Sequence, residues 1–434
     1  MTRNPDIQVR RVASLPADTD LTDTECNLPR GSKTVIIHFE QETYSLLMEN
    51  ADMFRSYIDT CYKEHPELFP DGMKNGYYLH GFTAPSVKQD GLRLRRIKLI
   101  DGGDVFNICP SFVMPYMTGL TDEVEKALFL RKFEVPYWAL TYVFGHDDMY
   151  WERIENSIGR NSITGTTVGD GTNIPVNLVA DEKKSRLNGD EINIAVTVGN
   201  ECILGAAVCT ERTADALEEG YGVFKEEAGN INPDYIPETV TTDGSDALRN
   251  AWKSLFSNIT LVLCFLHSVL NIKKHCRRME GVFTTIMEKV WYVYHADTKA
   301  SFSQRVRRLK EWAVKTFSSG TVLKKILALC EKADEFKKAY DYPGAPRTTN
   351  MIDRVMNRQD RYLYNIQYYH GNFISAELNV RAWAILYNFY PYSPRACPIG
   401  KDWICAAERL NGFRYSDNWL ENLLIASSMN GYRQ

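Results

Sequence analysis

The sequence predicts an α/β fold joined to an all-helical part, an α/β plus α protein built around a mixed sheet. Three observations predict it. Residues 169–267 alternate strand-like and helix-like segments in the order β-β-β-α-β-α-β. Residues 268–345 then keep a helical pattern with no strand among them. Ahead of both, residues 31–115 read as a small α+β region that ends in a hairpin.

Along the chain, residues 1–30 are polar and rich in Asp, Thr and Pro, the pattern of a mobile arm. GSKTVIIHFEQETYSLLMENADMF reads as a strand followed by a helix. GLRLRRIKLI alternates apolar and basic residues up to Asp101-Gly102-Gly103-Asp104, a hairpin turn signal. Its Arg93, Arg95, Arg96 and Lys98 suit a solvated strand face or a nucleic-acid contact. Residues 121–160, within a region 116–168, predict three short helices. The first begins at Thr121-Asp122-Glu123, the second at Pro136, and the third after Asp147-Asp148; Gly145 and Gly159 close the last two. Two short helices joined by a glycine-containing turn match a helix-turn-helix, which would expose Glu152, Arg153, Asn156 and Arg160 on its recognition helix. A purely structural helical bundle gives the same pattern.

Past residue 168 the pattern changes to strands: IPVNLVADE is an apolar run ending in acids, EINIAVTVGN alternates, and CILGAAVCT follows a tight turn. TADALEEGYGVFKEEAG reads as a helix with an acidic outer face, ETVTTDG as a short strand, SDALRNAWKSLF as a helix, and ITLVLCFLH as a strand. The helical stretch breaks at YPGAPRT, a new helix opens at Thr349-Asn350, and residues 367–434 read as a helical cap.

Composition bounds the function. The chain has 434 residues, 44% hydrophobic and 24% charged, an ordinary globular profile that excludes wholesale disorder. No apolar run approaches the roughly 18–20 residues of a membrane helix, and the first twenty residues lack a signal-peptide core, so the expected compartment is the cytoplasm. Ten cysteines without a C-x-x-C pair read as reduced core thiols. Net charge is −4, but residues 271–315 hold 11 basic against 4 acidic side chains. A phosphate backbone responds to that local excess, not to the total.

Two acids stand at strand ends, where open α/β sheets present ligands: Asp181 after the first strand and Asp243 in Thr241-Thr242-Asp243-Gly244 after the fourth. Paired carboxylates repel unless a cation lies between them, and Mg²⁺ takes such oxygen ligands. Both could instead cap or end their elements. Asp353 is a third candidate, although Asn350 with an acid three residues later also resembles a capping box. The helix it opens carries Arg354, Arg358 and Arg361 as one basic stripe. A zinc site from Cys264, His267, His275 and Cys276 is excluded if the stretch is helical. Eleven helical residues then span about 16 Å, beyond one ion's reach.

This ordered set, with Cys264-Phe265-Leu266-His267 after the last strand, a helical insertion and Thr348-Thr349-Asn350-x-x-Asp353, resembles the Mutator-like insertion-sequence transposases. The likeness runs over residues 170–366, with a transposase-like tail from Tyr369-His370-Gly371 through Arg381-Ala382-Trp383-Ala384. It implies a ribonuclease-H-like catalytic core (169–267 and 346–366) interrupted by a helical insertion (268–345). It also implies DNA strand cleavage and strand transfer with two Mg²⁺ ions, or Mn²⁺. Asp181 would bridge both ions, Asp243 would hold one and Asp353 the other, while Cys264 and His267 support the scaffold. The family usually has Glu where this chain has Asp353; Glu377 is the reserve third acid, followed by Glu288 and Glu331. The implied partners are double-stranded DNA and a second copy of the chain, in the nucleoid. Lys273, Lys274, Arg277, Arg278, Arg305, Arg307, Arg308 and Lys310 of the insertion would grip phosphates, and the helix-turn-helix would read terminal repeats. The rival expectations are a catalytically inactive DNA-binding descendant of a transposase and, more remotely, a nuclease on RNA/DNA hybrids.

Overall fold

The computed structural model describes residues 31–115, 118–279, 281–397 and 404–432; the expected arm, 1–30, lies outside them. The chain begins β1 (Thr34–Ile37), α1 (Gln41–Glu49), α2 (Ala51–Glu64), β2 (Tyr77–Phe82), β3 (Arg95–Leu99) and β4 (Val105–Pro110). Four helices follow: α3 (Thr121–Arg131), α4 (Tyr137–Phe144), α5 (Asp148–Ile158) and α6 (Ile163–Thr167). Next come β5 (Asn177–Leu187), β6 (Asp190–Gly199), β7 (Cys202–Cys209), α7 (Ala214–Ile231), β8 (Thr239–Thr242), α8 (Asp246–Leu255) and β9 (Thr260–Leu263). The helical stretch is α9 (Phe265–Cys276), α10 (Phe283–Tyr294), α11 (Lys299–Thr316), α12 (Thr321–Glu331) and α13 (Ala333–Lys337). Then α14 (Asn350–Asn365), α15 (Phe373–Phe389), α16 (Ala406–Asn411) and α17 (Trp419–Ala426) complete the described chain.

The protein is thus mixed α/β with two mixed sheets. The expected hairpin is β3–β4, turning at Gly102 and Gly103, and β1 joins it parallel to β4 in the order β1-β4-β3-β2. The single helix expected after β1 is two, because Asn50 caps a fresh start by accepting from the Asp52 and Met53 N–H groups. Arg95 is no solvated strand residue. It is buried, with its guanidinium over Phe54 and Phe82 at 5.2 and 4.8 Å.

The larger sheet runs β7-β6-β5-β8-β9. β5–β6 and β6–β7 pair antiparallel, β5–β8 and β8–β9 parallel. The β-β-β-α-β-α-β order of the sequence is therefore the order of the fold. One face of this sheet shares a continuous apolar core with β1–β4, α3–α5, α14, α15 and α17. The other face packs on α7 and α8. Helices α9–α13 hold a third core of their own, reaching the sheet through Leu263 and Phe265 at the end of β9.

The helical tail is packed deep: α15 is almost wholly buried and lies along β7. It completes that edge strand, with Asn388 bonding both the N–H and the C=O of Ile203 and Glu377 accepting from the Val208 N–H. Asp215, Glu219 and Glu226 form the exposed acidic face expected of α7, but Glu227 departs from it: it is buried under α15 and paired with Arg381 at 2.5 Å. Long-range packing, absent from local periodicity, places both. Among the described residues no helix is long and apolar enough to cross a membrane.

Candidate active site

The central sheet brings two of the expected acids to one level. β5 pairs with β8 through Asn177↔Thr239, Leu178↔Val240 and Val179↔Thr241. Continuing that register sets Asp181 level with Asp243, on strands about 4.8 Å apart. β8 pairs with β9 through Thr242↔Leu263, so Cys264 stands at the same level. Val179 belongs to the core beneath α14 and α15, whereas Leu178 and Ala180 belong to the opposite one. Strand alternation therefore turns Asp181 toward α14.

Asp181 does not end its strand, as the sequence suggested. β5 continues through Glu182-Lys183-Lys184-Ser185-Arg186 to Leu187, paired with β6 all the way. What ends at this level is the parallel neighbour β8, and that leaves the Asp181 side of the strand open. Asp243 follows directly. Its Oδ1 accepts from the Ser245 N–H at 2.8 Å, so the turn-forming role is real. Gly244 makes the turn at φ 92°, and a Cβ there would meet Leu263 Cδ1 at 2.4 Å. Only glycine lets the backbone leave β8 and keep the carboxylate reachable.

The third acid arrives through the strap that returns from the helical insertion. Thr241 Oγ1 donates to the Pro346 carbonyl at 2.5 Å, and the Phe265 N–H donates to the Arg347 carbonyl at 3.0 Å. The Thr349 N–H then donates to Cys264 Sγ at 3.2 Å. This stitching fixes the start of α14. Thr349, not Asn350, is the N-cap residue, and its side chain makes no capping bond, so the capping box does not form. Instead the Thr349 hydroxyl donates to Asp353 Oδ2 at 3.3 Å.

Electrostatics ties these groups together. Asp181 is pushed up to about 7, first by burial and then by the negative charges of Glu182 and Asp243. Asp353 is raised by burial, with His267 opposing. His267, half-buried one turn into α9, is raised to about 9. Its Cys264 neighbour lifts it against the cost of burial, and the charges of Asp181 and Asp243 add to the effect. Burial pushes the Cys264 thiol up, yet His267 and the Thr349 hydroxyl bring it below its ordinary value. One imidazole thus couples to all three expected acids. Cys264 is the N-cap of α9 and His267 lies in its first turn, while His275 and Cys276 lie at the far end of the same helix, which is the condition the zinc argument set.

Two further site residues escaped the sequence reading. Glu182, with a 1% exposed side chain, is ion-paired to Arg212, and its Oε2 has no partner. Arg212 also reaches Asp243 at 3.7 Å. The Asp-Glu doublet was visible in the sequence, but nothing local links it to an arginine beyond β7.

The reserve acids lie on other elements. Glu377 is buried against β7, while Glu288 and Glu331 are exposed on the helical insertion. Among the described residues, no group of three or more His, Cys, Asp or Glu side chains is drawn together tightly enough to hold a metal ion. The donor set nevertheless suits a hard cation. Asp181 and Asp243 offer carboxylate oxygens at one level, and Mg²⁺ is commonly held by one or two carboxylates plus substrate phosphates.

The expected phosphate contacts fall on several surfaces. Lys273, Lys274, Arg277 and Arg278 at the end of α9, and Arg307, Arg308 and Lys310 on α11, are exposed. Arg305 is half-buried, lying 4.1 Å over the Tyr292 ring. Arg354, Arg358 and Arg361 are exposed on α14, but Arg354 pairs with Glu201 at 3.2 Å and Arg358 lies over Tyr387 at 5.4 Å. Arg153 on α5 and Arg160 just beyond it are exposed and line a groove, while Glu152 and Asn156 are half-buried. Asn156 accepts from the Asn379 amide at 3.0 Å. No protein-family model matches the chain, and no curated protein is significantly similar to it in sequence.

Proposed function

We propose that the chain is a metal-dependent DNA transposase with a ribonuclease-H-like core, cutting at terminal inverted repeats and joining the freed ends to target DNA. The single observation that carries this reading is the level formed by Asp181, Asp243 and Cys264 across three parallel strands, faced by Asp353 on α14. The sheet order, with two antiparallel pairings followed by two parallel ones, agrees with that core. So does a helical insertion between β9 and α14.

Asp181 and Asp243 are the residues that would hold Mg²⁺ or Mn²⁺, with Asp353 completing the set. The ions would supply activation of the attacking oxygen and charge stabilisation at the leaving one. Arg212 holds Glu182 and Asp243 in place, and His267 sets the charge balance among the acids. Exposed bases on α9 and α11 would position the DNA backbone, while α4 and α5 would read the repeat as a helix-turn-helix. Pairing two ends would take a second copy of the chain, working in the nucleoid.

The test is strand cleavage of a duplex carrying the flanking inverted repeats, with Mg²⁺ present. Asp243→Asn keeps the shape and removes the charge, so cleavage is lost while DNA retardation persists. Full cleavage by that variant would refute the assignment. A second reading, a non-catalytic DNA-binding protein, is favoured by the Thr349–Asp353 contact, which occupies a carboxylate already one methylene shorter than the usual Glu. It predicts DNA retardation and no cleavage by the natural protein.

A further inference from the structure

We propose a second binding site, a pocket for one unstacked nucleobase between helices α3–α5 and the loop that follows α14. Its volume is about 310 Å³, at the small end of the roughly 300–1,000 Å³ of small-molecule sites. Arg131, Tyr137, Asn156, Tyr368, Tyr369 and Asn379 line it.

Behind the pocket lies a polar network that is incomplete. Arg131 is 3% exposed. Its Nε donates to Glu155 at 2.6 Å, its Nη1 donates to the Val135 carbonyl at 2.7 Å, and the Tyr137 ring lies 4.2 Å away. Its Nη2 has no partner. Tyr137 and Tyr362 also donate to Glu155, at 3.1 and 3.2 Å. Tyr369 is as deeply buried as Arg131, and its hydroxyl has no partner either. Buried polar groups normally find partners, and two residues of this lining each keep an unmet one just behind the pocket wall, which points to a ligand position. Glu155 already balances the Arg131 charge, so an anion gains little there. The demand is for a neutral, flat molecule with a carbonyl oxygen for the Arg131 N–H, set among aromatic rings and amides. That is the chemistry of a nucleobase taken out of its stack.

The loop is shaped for this. Gln367 and Tyr368 are consecutive non-glycine residues in the left-handed region, at φ 55° and 70°. Such strain persists only where surroundings over-determine it. Here the Tyr369 N–H donates to the Arg186 carbonyl at 3.0 Å, and Asn188 exchanges two bonds with Gly371. The result leaves the Tyr368 ring 39% exposed at the pocket. Glu152, Asn156 and Ser375 line both this pocket and the larger groove along α5. The base would come from DNA lying in that groove, and in this the inference rests on the proposed function. A carbonyl-bearing base, such as thymine or guanine, is favoured over adenine, the one DNA base without a carbonyl.

Saturation-transfer NMR on the full chain with deoxythymidine, deoxyguanosine and deoxyadenosine tests the pocket without duplex DNA. The expected result is transfer to the base protons of the first two and weaker binding of the third. Binding falls about fivefold or more in Tyr368→Ala and is retained in Tyr368→Phe, which keeps the stacking ring. Ser375→Trp, filling the pocket from its rim, removes the signal as well. No transfer to any nucleoside, or equal transfer in all variants, overturns the proposal. A chain that retards DNA but takes up no nucleoside loses the pocket and keeps the DNA reading. One that takes up nucleoside and retards no DNA keeps the pocket and loses the proposed function.

Discussion

Glu377→Gln separates an acid that does chemistry from an acid that holds the fold. Glu377 is 4% exposed and accepts from the Val208 N–H on the edge strand at 2.6 Å. Burial pushes it from 4.5 up to about 7, against the opposing pull of Arg381 and of that N–H. An acid raised on folding favours the fold most below its unfolded pKa, where both states are protonated. That contribution is lost as pH rises through the folded value. One pKa unit is worth about 1.4 kcal/mol, so the loss between pH 4.5 and 7 amounts to about 3 kcal/mol. Gln keeps the acceptor oxygen and cannot ionise. The variant should match the natural protein near pH 4.5 and exceed it by about 3 kcal/mol at pH 7.5, a few degrees in the thermal midpoint. Scanning calorimetry at both pH values reads the difference, and strand cleavage should be unchanged. An equal stability change at the two pH values would refute the burial argument, and lost cleavage in a stably folded variant would restore Glu377 as a metal ligand.

Two other perturbations bear on the site and the basic insertion. Arg212→Ala leaves the Glu182 carboxylate buried and unpaired; because Arg212 is itself 44% exposed, the expected cost is about 1–3 kcal/mol in chemical denaturation, partly recovered by Arg212→Lys. A denaturation midpoint equal to that of the natural protein would show the pair to be idle. If the exposed end of α9 grips phosphates, replacing Lys273 and Lys274 together with Ala flattens the dependence of log affinity on log salt by roughly 0.9 for every phosphate no longer neutralised. An unaltered slope in a filter-binding series would move the DNA to another face.

Local signals carried much of the site. Asp243 was legible because Thr-Thr-Asp-Gly joins a β-prone pair to a turn, and Gly244 then adopts the positive φ that only such a turn needs. Asp147 was legible as a cap and accepts from the Tyr150 N–H at 2.6 Å. The far half of β5 was not legible. Glu182-Lys183-Lys184 has no apolar alternation, and only pairing with β6 makes it strand. Arg212 could not be matched to Glu182, since no rule of spacing links residues on either side of two strands.

By itself the sequence determined the order of strands and helices, the helical run after β9 and the chemical identity of the acids, because periodicity, caps and turn residues act over a few positions. Tertiary structure alone decided where the acids stand. Register sets Asp181 level with Asp243, the strap through Arg347 and Thr349 fixes the helix start that carries Asp353, and α15 holds Glu377 at the sheet edge. Strand register and helix docking are settled by burial across the whole core, and no local stretch of chain contains that information.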